Sequence, residues 1–329
     1  MQPVPVTFYL DVDDKDIASW RALRPDAEPQ RLVLGEDYWI TQTYARLRDG
    51  GDAVQLDNRV PDAGIVLFYA GDKRAVWRAV QRGSRALLVA VRSDRHPVGF
   101  ADLEVVQNAA SADGVRAFHV PHWSQPGLRV REPARGNTLR TVLFPGTPQN
   151  LHPGFRSAEW DAFVQARGLE FRCHYARPDG TPPAWHDYHD VDLMLAVRPS
   201  GATLVRNKPA WKLFNAWLAG VPAILGPEAG YRELRAGPLD YIEASGVEDT
   251  MAAIDRLLAD PALYQAMVEN GRARGAAFTD DATLASWRRL IAEVLVPACA
   301  HVERRPVALW RRRLRDLASR VARAWGEKR

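Results

Sequence analysis

The sequence predicts an α/β protein with two doubly wound halves built on parallel sheets, followed by a helical C-terminal tail. Three observations lead there. Short apolar, β-branched runs alternate with helical stretches of about ten to fifteen residues, the pattern of parallel strands with right-handed crossovers. That alternation occurs twice, on either side of a Pro- and Gly-containing passage at residues 119–137. The length of 329 residues fits two domains at about 150 residues each.

In the first half, residues 6–10 form a β-rich run ending in the acidic stretch Asp11-Val12-Asp13-Asp14. Residues 36–51 read as a helix, with Glu36 and Asp37 at its positive end and Gly50-Gly51 as its stop. Residues 52–56 and 64–69 are the next strands, with Pro61 between them. Residues 72–83 read as a helix, and 86–91 and 103–106 as buried strands. The second series has strands at 139–144, 170–174, 191–197, 221–225 and 239–242. Helices are expected at 157–167, 209–219 and 229–235, and from Val247 onward the chain is mostly helical. The expected domains are 1–136, 137–296 and a tail of 297–329.

Composition narrows the classes. With 47% hydrophobic and 26% charged residues the chain is an ordinary globular protein, not a disordered, collagen-like or disulfide-stapled one. It contains no apolar run of the ~18 residues a membrane-crossing helix needs, and its first residues lack the basic region of a secretory leader. Cys173 and Cys299 have neither metal-ligand nor redox spacing and read as reduced thiols of a cytoplasmic protein. The net charge of +4 is unevenly placed. Residues 301–329 carry nine arginines and Lys328 against Glu303, Asp316 and Glu327, a surplus of seven, so residues 1–300 sum to −3. A nucleic-acid partner is not expected, because the basic residues are not spread over the body.

Residues 207–234 carry the densest chemical signal. Pro209 suits a first helical turn, where its missing N–H is no loss. Lys208 and Lys212 are four residues apart and project toward one end of that helix. A helix N-terminus with two ammonium groups can hold a diphosphate and neutralise it as it leaves. Glu228, at the next loop-to-helix junction, is placed to accept from a sugar or ribose hydroxyl, and Asn215 lies one turn beyond Lys212. Arg198 follows an apolar strand at its carboxyl end, where open α/β sheets bind ligands.

The stretch Lys208-Pro209-x-x-Lys212-Leu213-x-Asn215-Ala216-Trp217-x-Ala219-Gly220-Val221-Pro222, followed by Gly226-Pro227-Glu228-x-Gly230-Tyr231, resembles the donor half of GT-B-fold glycosyltransferases. The similarity is to the group 1 type of bacterial polysaccharide assembly. Trp185-x-x-Tyr188-x-x-Val191-Asp192, Ala196-Val197-Arg198 and Asp260-Pro261-x-Leu263-Tyr264 with Asn270-Gly271 fit the same pattern. The first half adds Tyr38-Trp39-x-x-Gln42-Thr43-Tyr44. The resemblance implies two Rossmann-like domains facing a cleft, a nucleoside-diphosphate-sugar donor, a glycan or lipid-linked acceptor, and transfer without a metal or other cofactor. By similarity Lys208 and Lys212 would engage the diphosphate, Arg198 the phosphates or the sugar, and Gly146 would let its loop approach the phosphates. Asn215 departs from the pattern, since many relatives carry Glu there for the ribose.

An inverting transferase needs a base for the acceptor hydroxyl. Asp37, opening the first long helix, is the first choice, and Asp13, at the end of the first strand, is the second; His119 and His122 are further candidates. Two other functions are kept in view: a non-catalytic glycan-binding scaffold, and a magnesium-dependent phosphatase using Asp11 and Asp13. The segment 185–190, with His186, Asp187, His189 and Asp190, reads as a structural turn rather than a metal site.

The tail places Trp310, Leu314, Leu317, Val321 and Trp325 in one stripe, with Arg312, Arg313, Asp316, Arg320 and Arg323 on the other side. Two destinations are open for that stripe: an anionic membrane surface at the inner face, or burial where the helix packs back on the domains.

Overall fold

The computed structural model describes residues 4–81, 84–174, 183–199, 208–304 and 307–326, with side chains as far as residue 321. It divides into two compact units: Met1–Pro25 with Arg31–His122 and Thr283–Arg329, and Asp26–Gln30 with Trp123–Ala282.

The first unit contains a six-stranded sheet of β1 (Val6–Tyr9), β2 (Val54–Asp57), β3 (Ile65–Tyr69), β4 (Leu87–Val91), β5 (Leu103–Val106) and β6 (Ala117–His119). The order is β2-β1-β3-β4-β5-β6, and every pair is parallel. Every residue of β3 and β4 is buried, which is why Ile-Val-Leu-Phe-Tyr and Leu-Leu-Val-Ala-Val lack polar alternation: both faces are covered. The chain leaves β1 toward β2 on one side and β3 on the other, so the sheet's topological switch point lies between the carboxyl ends of β1 and β3.

The helices of this unit are α1 (Asp14–Arg21), α2 (Gln42–Asp49), α3 (Lys73–Gln81), α9 (Asp280–Leu290), α10 (Val296–Arg304) and α11 (Leu309–Gly326), α9 beginning in the second unit's last residues. Trp287 of α9 meets Phe8 of β1 edge-on at 6.4 Å between centroids. The expected long helix at 36–51 is not a single regular helix: a π-helical segment, Asp37–Thr41, precedes α2. Two elements exceed the expectation. The helix α1 buries only Ile17, so its sequence shows no apolar stripe. The strand β6 is three residues long with one buried.

The second unit contains β7 (Thr141–Pro145), β8 (Glu170–His174), β9 (Leu193–Ala196), β10 (Ala223–Leu225) and β11 (Ile242–Glu243), ordered β11-β10-β9-β7-β8 and parallel throughout. Its switch point lies between β7 and β9. Side chains alternate across this sheet. Val142, Phe144, Leu193 and Leu195 join a core with Trp160 of α4 (Ala158–Ala166), Ile254 of α7 (Val247–Ala259) and Tyr264 of α8 (Pro261–Gly275). Leu143, Met194 and Ala196 face the other way, onto Leu213 and Trp217 of α5 (Trp211–Ala219) and Tyr231 of α6 (Ala229–Leu234). Helix α5 ends at a left-handed Gly220, where Gly220 N–H donates to the Trp217 carbonyl (3.1 Å) and Val221 N–H to that of Ala216 (2.9 Å). These are the paired bonds of a Schellman stop, and they release the chain into β10.

Candidate functional site

The carboxyl edge of the second sheet gathers residues from three loops. Arg198 follows β9, Asn150 ends the short turn Pro148–Asn150 after β7, and Glu228 is the N-cap of α6 after β10. Arg198 donates through Nε to Glu228 Oε1 at 2.9 Å, and through Nη1 to Asn150 Oδ1. The Glu228 carboxylate is buried, with 5% of its side chain exposed, so the guanidinium satisfies an acceptor that water does not reach.

Lys212 lies in the first turn of α5, an end that no side chain caps. Its ammonium is pulled from an ordinary 10.5 down to about 7, first by burial and then by the positive charge of Arg198, with Lys208 adding to it and Glu228 opposing. Arg198, Lys208, Lys212 and Glu228 therefore share one electrostatic neighbourhood, with three cations against one carboxylate. Pro209 is placed differently from expectation. The helix starts at Trp211, with Leu213 N–H closing on the Ala210 carbonyl at 2.9 Å, so residues 208–210 precede it. That segment is pressed onto α6: a Cβ at Gly230 would lie 2.5 Å from the Lys208 carbonyl oxygen. A Gly230→Ala variant must displace this backbone, and the expected result is a loss of about 1–3 kcal/mol in stability, read by chemical denaturation.

Asn215 is buried, and its carboxamide oxygen accepts from the Gln125 N–H at 3.0 Å. It fastens the 123–137 passage to α5. Gly146 follows β7 and donates its N–H to the His174 carbonyl (3.1 Å), with the Phe144 ring 3.0 Å from where a Cβ would stand. Gly146 and Arg198 thus flank the β7/β9 switch point.

The first unit gathers carboxylates at its own switch point. Asp37 is buried and turned back on the preceding loop, its Oδ2 accepting from Val33 N–H (2.9 Å) and Leu34 N–H (2.6 Å). Burial raises its pKa to about 6 against the pull of those two bonds. Asp13 is exposed and precedes α1 without capping it through its side chain. Asp11 is exposed too, accepting from the Tyr9 hydroxyl at 3.2 Å. The histidines lie at and just after the end of β6: the His122 ring packs on Trp39 at 4.2 Å between centroids, and His119 Nε2 lies 3.2 Å from the Gln107 carbonyl.

One carboxylate there escapes the sequence reading. Asp72 closes the short turn Ala70–Asp72 directly after β3. Its Oδ2 is enclosed and has no hydrogen-bond partner among the described residues. Burial first, then the charges of Glu36 and Asp11, raise its pKa to about 7. Its place after a strand's carboxyl end is the same signal that singles out Asp11 and Asp13, and the helical pattern of residues 72–83 hides it.

The 185–190 segment is a set of turns. Asp187 pairs with Arg129 (2.7 Å) and Asp190 with Arg172 (2.5 Å). Among the described residues no group of three or more His, Cys, Asp or Glu side chains is placed to hold a metal ion.

The architecture is shared with solved glycosyltransferases. Sucrose-phosphate synthase from Thermosynechococcus elongatus matches with a TM-score of 0.57 at 14% identity, over 90% of this chain and 100% of that one. A glycosyltransferase from Rickettsia africae ESF-5 matches at 0.52 and 8% identity, over 90% and 99%. Anabaena Alr3699/HepE in complex with UDP matches at 0.51 and 12% identity, over 88% and 100%, and HepE is also solved with UDP-glucose. No protein-family model matches the sequence, and no curated protein matches it either. At these identities the likeness establishes the fold, which is GT-B.

Proposed function

We propose that the chain is a glycosyltransferase moving a sugar from a nucleoside-diphosphate donor to a glycan acceptor, lipid-linked or free, without a divalent metal. The observation that carries this is the grouping of Arg198, Lys208 and Lys212 around the buried Glu228 at the β7/β9 switch point. A half-buried lysine beside two other cations is unfavourable by itself and gains when a dianionic diphosphate arrives. In the transfer step the same charges stabilise the departing diphosphate, where a metal would otherwise stand. HepE, of the same fold, is solved with UDP and UDP-glucose, which supports a nucleotide-sugar donor. The acceptor proton would go to a carboxylate of the first unit: Asp37, Asp13 or, in our reading the best placed, Asp72.

Thermal shift with UDP, GDP, dTDP and CMP tests the donor site. The expected result is that one nucleotide at 100 Kd stabilises wild type by about 2.7 kcal/mol, with EDTA making no difference. Lys212→Ala removes a charged contact and should weaken that nucleotide about 10- to 100-fold. The pH dependence follows from the Lys212 ammonium, held near 7 in the free protein. Above that pH the diphosphate has to recruit a proton, so affinity should fall up to about tenfold per pH unit, and binding should take up protons in calorimetry. No shift with any of the four nucleotides would discard the donor pocket in favour of a non-catalytic scaffold.

A further inference from the structure

Helix α11 docks on the first unit with its charged face inward. Arg312 is 2% exposed; its Nη2 lies 2.7 Å from Asp102 Oδ2, and its guanidinium also donates to the Phe100 carbonyl at 3.2 Å. Arg315 reaches the other oxygen of Asp102 at 3.0 Å. The backbone of Arg315–Asp316 lies so close to residue 99 that only glycine fits, a Cβ there falling 2.5 Å from the Asp316 Cα. At 100° per residue, Trp310, Leu314, Leu317 and Val321 project from the opposite side. They are 59%, 56%, 58% and 49% exposed. The expectation that the helix packs back by burying this stripe is therefore overturned for the described residues: a buried Arg–Asp pair, absent from any local pattern, sets the rotation. Arg323 and Trp325 have side chains outside the described residues.

The apolar stripe has basic borders. Arg311 stands on one side with its guanidinium 5.2 Å from the Trp310 ring centre, and Arg313 and Arg320 stand on the other, Arg320 also pairing with Asp316 at 2.6 Å. No described helix is long and apolar enough to cross a membrane. We propose that this face seats the protein on an anionic phospholipid surface. Trp310, Leu314, Leu317 and Val321 enter the boundary of the acyl chains, while Arg311 and Arg313 meet the headgroup phosphates. The choice of occupant rests on charge. The segment 301–329 carries a surplus of seven positive charges on a body of −3, so it is drawn to an anionic surface and repelled by its own copy. The inference is independent of the donor-site reading.

The test is flotation of the full chain with phosphatidylcholine vesicles, with and without phosphatidylglycerol. Wild type should float with the anionic vesicles and bind the neutral ones at least about tenfold more weakly. Leu314→Glu with Leu317→Glu should lower binding to the anionic vesicles by about tenfold or more. Because both leucines are exposed, the double variant should keep the wild-type melting temperature. Arg311→Glu with Arg313→Glu should abolish the preference for phosphatidylglycerol. Failure of wild type to bind anionic vesicles, or equal binding by the leucine variant, overturns the proposal. So does a dimer in sedimentation equilibrium that the leucine variant dissolves, which would assign the stripe to self-association.

Discussion

An Asp192→Ala variant should lose about 3–5 kcal/mol of folding stability and melt on the order of 10 °C lower. The Asp192 side chain is fully enclosed, just ahead of β9, at the amino edge of the second sheet. Arg131 donates to its Oδ1 through Nε (3.1 Å) and Nη2 (2.8 Å). Arg135 spans both oxygens at 2.8 and 2.6 Å, and the N–H groups of Arg140 and Thr141 each reach Oδ2 at 2.9 Å. Alanine would leave the buried Arg131 without its counter-charge, which costs far more than the intact pair contributes. Burial alone would push the Asp192 carboxyl up, yet Arg135, the two N–H groups and Arg131 hold it below the usual carboxylate value. The unfolded chain thus takes up this proton at a higher pH than the folded one. Its stabilisation is complete above the ordinary carboxylate range and is lost as pH falls through the lower folded value. Urea unfolding of wild type and variant across acidic pH reads both effects. A variant melting within about 1 °C of wild type would show that the network does not fasten this edge. Since Asp192 lies at the sheet end opposite Arg198, nucleotide affinity of the folded variant should be unchanged.

The same residue shows what kind of information the sequence holds. Trp185, Tyr188, Val191 and Asp192 formed one of the motifs behind the family resemblance, and their contacts are architectural. The Trp185 indole donates to the His174 carbonyl at 2.8 Å, while Tyr188 and Val191 are buried. Central strand positions were legible to within a residue or two because central parallel strands announce themselves as unbroken apolar runs, whereas the edge strand expected at 239–242 is Ile242–Glu243, only half-buried. Helix α1 and strand β6 were not, because each buries a single residue and leaves no period to detect. The grouping of Arg198, Lys208, Lys212 and Glu228 was legible for a topological reason: all four follow strands whose carboxyl ends a parallel sheet brings to one edge. The rotation of α11 was hidden, since it depends on Arg312 finding Asp102 far away in the chain. Asn215 could be located on α5, but its bond to Gln125 belongs to tertiary packing.

Asp72→Asn should reduce turnover and raise stability together, and the opposed signs distinguish a proton acceptor from a structural carboxylate. A carboxylate at the β1/β3 switch point with an enclosed, unpartnered oxygen and a pKa near 7 is poised to take a hydroxyl proton near neutrality. If it does, kcat/KM for the acceptor at saturating donor rises with pH through about 7 and then levels, because only the ionised form accepts. The Asn variant should lose that limb and about 10²- to 10⁴-fold in kcat/KM. Stability moves the other way. The folded pKa lies above the ordinary 3.8, so the native state binds the extra proton between about 4 and 7, and wild type is progressively destabilised as pH rises across that window. A neutral amide beside Glu36 and Asp11 removes the penalty, so the variant should be the more stable protein above pH about 7. Asp37→Asn provides the contrast. Its Oδ2 holds the N–H groups of Val33 and Leu34, so an amide there sacrifices acceptor capacity and the expected outcome is lower stability. An Asp72→Asn enzyme that retains kcat/KM within about threefold, or that melts below wild type at alkaline pH, would remove Asp72 from the reaction and return the role to Asp37 or Asp13.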